Sequence, residues 1–329
     1  MHDPSRSEPS PTAGPAPGSG YRAGPHWMAL LATAFTWPLL FVGGLVTTYR
    51  VGMAVPDWPT TFGVNMFLFN MFDTNWGVFG EHAHRLYASA VGLFTIVLML
   101  DFLLFERRAR VKWLGVLALV AVIAQGVMGG MRVRWNWTGL AAFHGVFGQA
   151  FFAFMVALCV LTGRGWFGPA RTAEGAGKAR RMVASALGLI AAQIMAGAWL
   201  RHYPSRMSLV VHSLAAVLVL GHVGAVASKY ARSGSGLREL IPSARAMGLL
   251  LILQVALGIG AWWMLRPYDG NLRPVTMFQA LIRTGHQANA ALLLAAAVVM
   301  TMRAFGQIAP PDDERGPAAR PSRELEAVA

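Results

Sequence analysis

Long apolar segments alternate with short polar ones along almost the whole chain. A helix needs about 20 apolar residues to cross the hydrocarbon core of a bilayer. Eight segments reach that length: Trp27–Thr47, Ala83–Phe105, Trp113–Met131, Leu140–Leu161, Met182–Leu200, Ser208–Ser228, Ala246–Leu265 and Thr284–Arg303. The pattern predicts an all-α polytopic membrane protein with eight transmembrane helices.

The composition and the placement of charge agree with a membrane protein. Hydrophobic residues make up 55% of the chain and charged residues 13%, whereas about 25% of the residues in a soluble domain are charged. The net charge of +13 arises from 28 Lys and Arg against 15 Asp and Glu. If the N-terminus is cytoplasmic, about two thirds of the basic residues lie on the cytoplasmic side, as the positive-inside rule requires. We therefore expect a multi-pass protein of the inner (plasma) membrane, with both termini in the cytoplasm and no nucleic-acid partner.

The polar segments divide the chain into parts. Segments rich in Pro, Gly, Ser and charge are typical of disorder, and they flank two groups of four apolar segments. The predicted parts are a disordered tail (1–26), an N-terminal four-helix bundle (27–163), a cytoplasmic linker (164–181), a C-terminal four-helix bundle (182–305) and a second disordered tail (306–329).

A helical hairpin recurs along the chain. The third, fifth and seventh segments each contain Gln, three residues and Gly, and a histidine stands near the start of the following segment. The units are Gln125–Gly129 with His144, Gln193–Gly197 with His212, and Gln254–Gly258 with His286. The first hairpin lacks the glutamine but has Gly43–Gly44 followed by His84. The repeat predicts two pseudo-symmetric four-helix bundles, each with two equivalent histidines.

The four histidines at equivalent depth indicate ligation. Ionisable groups inside a bilayer are costly and need a partner or a function. A single histidine is more simply explained as a hydrogen-bonded packing residue, but imidazole is also the commonest metal ligand. Six-coordinate haem iron takes two axial ligands on opposite faces, which two facing hairpins provide. The pattern therefore predicts two haem-sized sites, one in each half.

Arginines near the histidine ends of the segments are candidates for anchoring haem propionates, because charge-assisted hydrogen bonds to carboxylates are strong. The alternative for each is snorkelling at the membrane interface. The candidates are Arg50, Arg132, Arg134, Arg201, Arg206, Arg266 and Arg273.

Glu81 distinguishes the first hairpin from the others. It precedes His84 by three residues, so a continuous helix places both on one face. The same position is occupied by Ala141, Leu209 and Arg283 in the other three hairpins. Glu81 is therefore a candidate proton acceptor or cation stabiliser, and its alternative role is to complement the charge of a helix N-terminus.

Three further histidines fall outside the repeat. His82 cannot share the face of His84, which lies two residues later, and His222 lies deep in the sixth segment. We expect both to be structural or to handle protons, and we expect His202 to lie in a loop.

Two motifs resemble the haem A synthase family. The segment EHAHR, Glu81 to Arg85, resembles the Glu-x-x-His-Arg signature of that family. The segment GGLVTTYRVGMAVPDWP, Gly43 to Pro59, resembles the end of its first helix and the following outer loop. With the eight-segment layout, the resemblance covers about residues 27–305. It implies an oxidoreductase that converts a ring methyl of haem O to a formyl group, giving haem A for terminal oxidase assembly.

The resemblance also implies roles for individual residues. His84, His144 and Arg85 would face the substrate haem O in the first half, and Glu81 would be the catalytic acid. In the second half His212 and His286 would be the axial ligands of the iron of a haem B cofactor, which passes electrons.

The resemblance further implies interactions with haem O and haem A, a haem O synthase, an electron acceptor and the lipid bilayer, with homo-oligomers as a possibility. One feature departs from the family. Many bacterial members carry a cysteine pair in the first outer loop, whereas the single cysteine here, Cys159, lies inside the fourth segment. No intrachain disulfide can form, which gives the haem B route more weight.

Two other functions use the same residues. A non-enzymatic membrane di-haem b electron carrier needs the four histidines but has no need for Glu81. A haem-handling assembly or transport protein would use the repeat for alternating access.

Overall fold

The computed structural model describes residues 20–232, 236–264 and 274–311. In these residues eight helices are long and apolar enough to cross a membrane, which confirms the predicted class of all-α multi-pass membrane protein. The helices are α1 (Ala23–Thr48), α2 (Trp76–Phe105), α3 (Ala109–Arg134), α4 (Thr138–Thr162), α5 (Ala176–His202), α6 (Arg206–Tyr230), α7 (Ile241–Met264) and α8 (Met277–Gly306). Short 3-10 helices cover Arg164–Trp166 and Arg238–Leu240.

Two helices begin seven residues earlier than their apolar segments. The side chain of Asn75 caps α2 by accepting hydrogen bonds from the backbone N–H groups of Gly77 and Val78. Thr276 and Gln279 form a capping box at the start of α8. Such caps satisfy the free N–H groups of a first turn. The polar first turns are therefore helical, and Glu81 and His84 both lie within α2.

Two short strand pairs complete the described structure. Strand β1 (Thr60–Thr61) pairs antiparallel with β2 (Val64–Asn65) in the α1–α2 loop. Strand β3 (Arg171–Thr172) pairs in parallel with β4 (Ile308–Ala309). The second pair joins the segment between α4 and α5 to Ile308 and Ala309, which lie at the start of the segment predicted to be a disordered tail. Helices α1 and α5 begin before residues 27 and 182.

The helices pack in two sets of four. Helix α1 contacts α2 and α4, and α3 contacts α2 and α4; helices α5 to α8 contact one another in the same order. The sets meet where α8 packs on α1 and α4 and where α4 packs on α5. Ala291 and Ala295 of α8 form a buried cluster with Phe152 of α4 at this junction, because small side chains let helices approach closely. The indole of Trp37 donates a hydrogen bond to the Ala288 carbonyl across the same junction.

The two ends of the helices differ in character. The histidine side is the end that carries the connections 49–75, 135–137 and 203–205, the end of α7 and the start of α8, and the basic side is the end that carries 106–108, 163–175 and the end of α6. On the basic side Arg171 forms an ion pair with Glu239, 2.8 Å between Nε and Oε1. This pair ties β3 to the 3-10 helix Arg238–Leu240, which precedes α7.

Candidate functional site

Each of the four repeated histidines packs against a glycine of the preceding helix. The contact is so close that a Cβ on the glycine would lie inside the ordinary contact distance of 3.4–4 Å from the imidazole Cε1. The distances would be 2.9 Å for Gly43 and His84, 3.0 Å for Gly129 and His144, 3.2 Å for Gly197 and His212, and 2.9 Å for Gly258 and His286. Glycine leaves room for the ring, and the ring then stands at the same depth in every hairpin. The repeat seen in the sequence is therefore a repeated packing contact.

The glutamine that stands one turn before the glycine holds the histidine-bearing helix. The amide Nε2 of Gln125 donates to the His144 carbonyl over 2.9 Å, and that of Gln193 donates to the His212 carbonyl over 3.0 Å. In the last hairpin the Gln254 Nε2 lies 3.4 Å from the His286 Nε2. The first hairpin has Leu39 at this position and no such hydrogen bond. The glutamine thus positions three of the four histidines.

The second half brings two imidazole rings together, edge to face, across its bundle. The ring centroids of His212 on α6 and His286 on α8 are 6.2 Å apart, with the ring planes 79° from parallel. Two imidazoles that approach from opposite helices suit an ion that takes one ligand on each of two faces. No group of three or more His, Cys, Asp or Glu in the described segments could hold a bare metal ion, and haem iron needs only the pair.

The first half places His84 and His144 beside an arginine. The Nδ1 atoms of both histidines are buried and have no hydrogen-bond partner in the described part of the chain. The Nε of Arg132 is also buried and has no partner there. Arg132 lies near enough to act electrostatically on both rings and on Glu81. Buried polar groups without partners are costly, and a bound ligand can remove that cost by supplying the partner. The arrangement fits a ligand that offers a metal to the imidazoles and an anionic group to Arg132.

Glu81 and Arg85 form a buried ion pair that also holds the α1–α2 loop. Glu81 is 1% exposed, and its Oε1 lies 2.8 Å from the Arg85 Nη2. Its Oε2 accepts the Val55 N–H over 2.9 Å. Arg85 donates in addition to the carbonyls of Val55, Asp57 and Thr60. The arginine of the EHAHR motif therefore anchors the loop, and its contact with a substrate stays a prediction.

The anchored loop folds back over the first half. The indole of Trp58 lies flat on Gly130 of α3, where any Cβ would overlap the ring. The guanidinium of Arg132 packs on Gly52, whose Cβ would lie 3.1 Å from Nη1. Gly129 leaves room for the ring of His144, and the adjacent Gly130 leaves room for Trp58 of the loop. The loop is thus fixed directly over the His84–His144 side of the bundle.

Hydrogen bonds within the loop make its hairpin rigid. The Asp57 carboxylate accepts the N–H groups of Phe62 and Gly63 over 2.8 and 2.9 Å and the hydroxyl of Thr60. Burial acts to raise the pKa of Asp57, but the hydrogen bonds from Gly63, Thr60 and Phe62 outweigh it and lower the pKa from 3.8 to about 2. The Nδ1 atom of the fully buried His82 lies 3.0 Å from the Thr61 hydroxyl. His82 therefore contacts the loop rather than the histidine pair, as its place outside the repeat suggested.

A family profile matches the part of the chain that contains this site. The profile is that of COX15-CtaA, the cytochrome oxidase assembly protein family, and it matches residues 25–209. The chain belongs to this family. No curated protein and no solved structure gave a match. The matched span includes Glu81, His84 and His144 of this family member, whereas His212 and His286 follow it.

The arginines predicted to anchor propionates occupy different settings in this family member. Arg50, Arg134 and Arg206 are exposed, and Arg132 and Arg201 are half-buried. Arg134 lines an open cavity of about 440 Å³ on the histidine side, together with Pro56, Asp57, Trp58 and Thr60. Arg266 and Arg273 lie outside the described residues. Of the half-buried pair, Arg132 acts electrostatically on His84 and His144, and Arg201 acts on His286.

The structure corrects one expectation and adds one residue. His202 is the last residue of α5 rather than a loop residue, since the helix continues past its apolar segment to the Tyr203 cap. The half-buried Arg283 of α8 stands one turn before His286 and near Arg201. The sequence does contain a signal for it, because Arg283 holds the position that Glu81 holds in the first hairpin.

His222 lies apart from the histidine pairs. Its Nε2 is 2.8 Å from the Ser185 hydroxyl and 3.2 Å from the Met182 carbonyl. These partners lie in the second and third turns of α5, toward the basic side, so His222 joins α5 to α6.

Proposed function

We propose that this cytochrome oxidase assembly protein is a haem A synthase, which oxidises a ring methyl of haem O to the formyl group of haem A. The substrate binds between His84 and His144, and a haem B cofactor binds between His212 and His286. The observation that carries the proposal is the histidine-on-glycine contact present in all four hairpins together with the buried carboxylate of Glu81, which stands one turn from His84; the corresponding positions in the other three hairpins hold Ala141, Leu209 and Arg283.

The residues of the second half fit a resident haem. His212 and His286 face each other from different helices, and Gln193 and Gln254 fix their rings. A ligating histidine that is held through a second group keeps its tautomer and orientation. Haem B, when bound there, supplies a one-electron redox centre.

In the first half the chain orients the substrate and accepts protons. His84 and His144 hold the haem O iron, and Arg132 offers its guanidinium to a propionate carboxylate. A methyl group becomes a formyl group through two successive hydroxylations and loss of water. Each hydroxylation takes its oxygen atom from one water molecule and releases two protons and two electrons, and an electron acceptor in the membrane takes the electrons. Glu81, one turn from His84 on the same face, takes up a proton or stabilises positive charge that develops near the methyl carbon.

Arg85 and the loop keep Glu81 in place during this chemistry. The guanidinium and the Val55 N–H each hold one carboxylate oxygen, so the side chain cannot rotate. Because the loop that carries Val55 lies over the bundle, it also limits the access of water to the site. Exclusion of water strengthens electrostatic interactions at a reaction centre.

We place the histidine side outside the cytoplasm and the basic side inside, with both termini in the cytoplasm of a plasma membrane. The concentration of Lys and Arg in the connections of the basic side supports this orientation. Cysteine substitutions at the exposed Phe67 and the partly exposed Lys112, each in a Cys159→Ala background, test it with an impermeant thiol reagent. We expect only the Phe67→Cys variant to react in intact cells, and reaction of Lys112→Cys alone would reverse the orientation.

The proposal is tested by separating the two haem sites. In a His212→Ala variant we expect the haem B spectrum to disappear, whereas in a His84→Ala variant haem B stays and haem O is no longer retained. Loss of the same haem in both variants would contradict two separate sites. The equal packing of all four histidines also suits a di-haem electron carrier, and for that function both variants would lose one haem B and neither would contain haem O or haem A.

A further inference from the structure

Two arginines stand at the histidine-side end of the His212–His286 pair. Arg201 follows Gly197, the glycine under His212, by one helical turn. Arg283 precedes His286 by one turn, so both lie on one face of α8. Each histidine of the second half thus has an arginine one turn nearer the helix end.

The contacts of Arg201 show that Arg201 and Arg283 lie close together. Its Nη2 donates to the Gly44 carbonyl over 2.9 Å and to the Thr48 hydroxyl over 2.7 Å. The Thr48 hydroxyl lies 3.1 Å from that of Thr284, the neighbour of Arg283 in the chain. Since only Nη2 of Arg201 makes hydrogen bonds within the described residues, its other donors are available to a ligand.

No carboxylate in the described ranges neutralises these arginines. In those ranges the acids on the histidine side are Asp57, Asp73 and Glu81. Asp57 accepts hydrogen bonds within the loop hairpin, Asp73 accepts one from Asn70, and Glu81 pairs with Arg85. Arg283 makes no hydrogen bond and no ion pair with any described residue. Two half-buried guanidinium groups without a counter-ion cost free energy, and an anion that binds between them removes that cost.

We propose that Arg201 and Arg283 form a carboxylate-binding site for the propionates of the haem in the second half. The inference rests on the proposed function, because it takes haem B as the molecule between His212 and His286. Arg283 occupies the position that Glu81 occupies in the first half. The residue three places before the histidine is therefore an acid in the first half, where haem O is oxidised, and a cation in the second half, where haem B is retained.

The test compares haem B with its dimethyl ester, in which both propionates are uncharged. Protein purified from haem-deficient cells is titrated with each compound, and binding is followed by the bis-imidazole absorption. Because a charge-assisted hydrogen bond contributes about 1.5 to 3 kcal/mol, we expect the ester to bind the full-length wild-type chain at least about tenfold more weakly. Equal affinity for the two compounds would overturn the proposal without any substitution.

Variants assign the effect to the arginine. In Arg283→Gln we expect weaker binding of haem B, a smaller difference between haem B and its ester, and a lower midpoint potential, because loss of a cation favours the ferric state. Arg283→Lys is expected to recover part of each effect, and Arg181→Gln, at an exposed arginine on the basic side of α5, is the matched control. If Arg283→Gln keeps the wild-type preference for the free acid, the proposal is wrong while the proposed function stands. If the wild-type chain binds no haem B at all, both fail.

Discussion

Gly43 of α1 lies under the ring of His84, so close that a Cβ at residue 43 would be 2.9 Å from the imidazole Cε1. The next residue, Gly44, faces the other way, and a Cβ there would lie 2.8 Å from the Thr284 Cγ2 of α8. This glycine pair therefore serves two neighbours: one glycine sets the depth of a histidine in the first half, and the other lets the two halves meet.

Substitution of Gly43 by alanine should displace His84. The added methyl overpacks the contact, which costs typically about 1 to 3 kcal/mol, and the ring moves away from its position. We expect loss of haem O retention with haem B unchanged, measured as haem content by extraction. Gly92→Ala is the control, since a Cβ on Gly92 has no neighbour within 4 Å. An unchanged haem O content in Gly43→Ala would show that the contact does not position the ligand.

The equivalent change in the second half should have the opposite selectivity. Gly258→Ala pushes on His286 in the same way, with its Cβ 2.9 Å from the ring. We expect haem B to be lost and the first-half site to keep its haem O. If Gly258→Ala and Gly43→Ala lose the same haem, the assignment of one haem to each half is wrong.

Arg85→Met should loosen the α1–α2 loop. It removes four hydrogen bonds that the guanidinium makes and leaves Glu81 buried without its cation. Breaking a buried ion pair on one side costs about 3 to 5 kcal/mol. We expect a lower thermal unfolding midpoint and rapid proteolytic cleavage between residues 49 and 75. The double variant Glu81→Gln with Arg85→Met should recover part of the stability, and a simple sum of the two single effects would contradict the pairing.

Low pH should release the loop hairpin through Asp57. Hydrogen bonds lower its pKa to about 2 in the folded protein, so its stabilising contribution is fully present above the ordinary pKa of 3.8. As the pH falls from about 4 through 2, the carboxylate takes up a proton and that contribution is lost. We expect proteolysis of the loop to accelerate over this range, and Asp57→Asn to abolish the pH dependence. A loop equally protected at pH 2 and pH 5 would contradict this role.

The sequence predicts the eight helices because each contains enough apolar residues to cross a bilayer. It fails at the first turns of α2 and α8, where polar residues and caps at Asn75 and Thr276 begin helices that hydrophobicity alone does not mark. It also fails at β3 and β4, which are two residues long and pair segments that are far apart in the chain.

The candidate site was predictable in part. The repeat identified four histidines and their glycines, since both recur at fixed places in the chain. It did not show that each glycine lies beneath its histidine, because contacts between helices depend on their packing. The loop-anchoring contacts of Arg85 are absent from any local pattern, since three of its partners lie more than 20 residues away. In the sequence, Arg283 stands out only as the residue that replaces Glu81 at the corresponding position of the last hairpin.

Glu81 carries the central claim, and haem analysis of its variants tests that claim most directly. The full-length chain and its Glu81→Ala and Glu81→Gln variants are expressed beside a haem O synthase, and the haems of the purified proteins are extracted and separated by type. We predict haem A and haem B in the wild-type protein. In both variants we predict haem B at wild-type content with haem O in place of haem A. Haem B alone in the wild-type protein, with an unchanged spectrum in Glu81→Ala, would contradict the account.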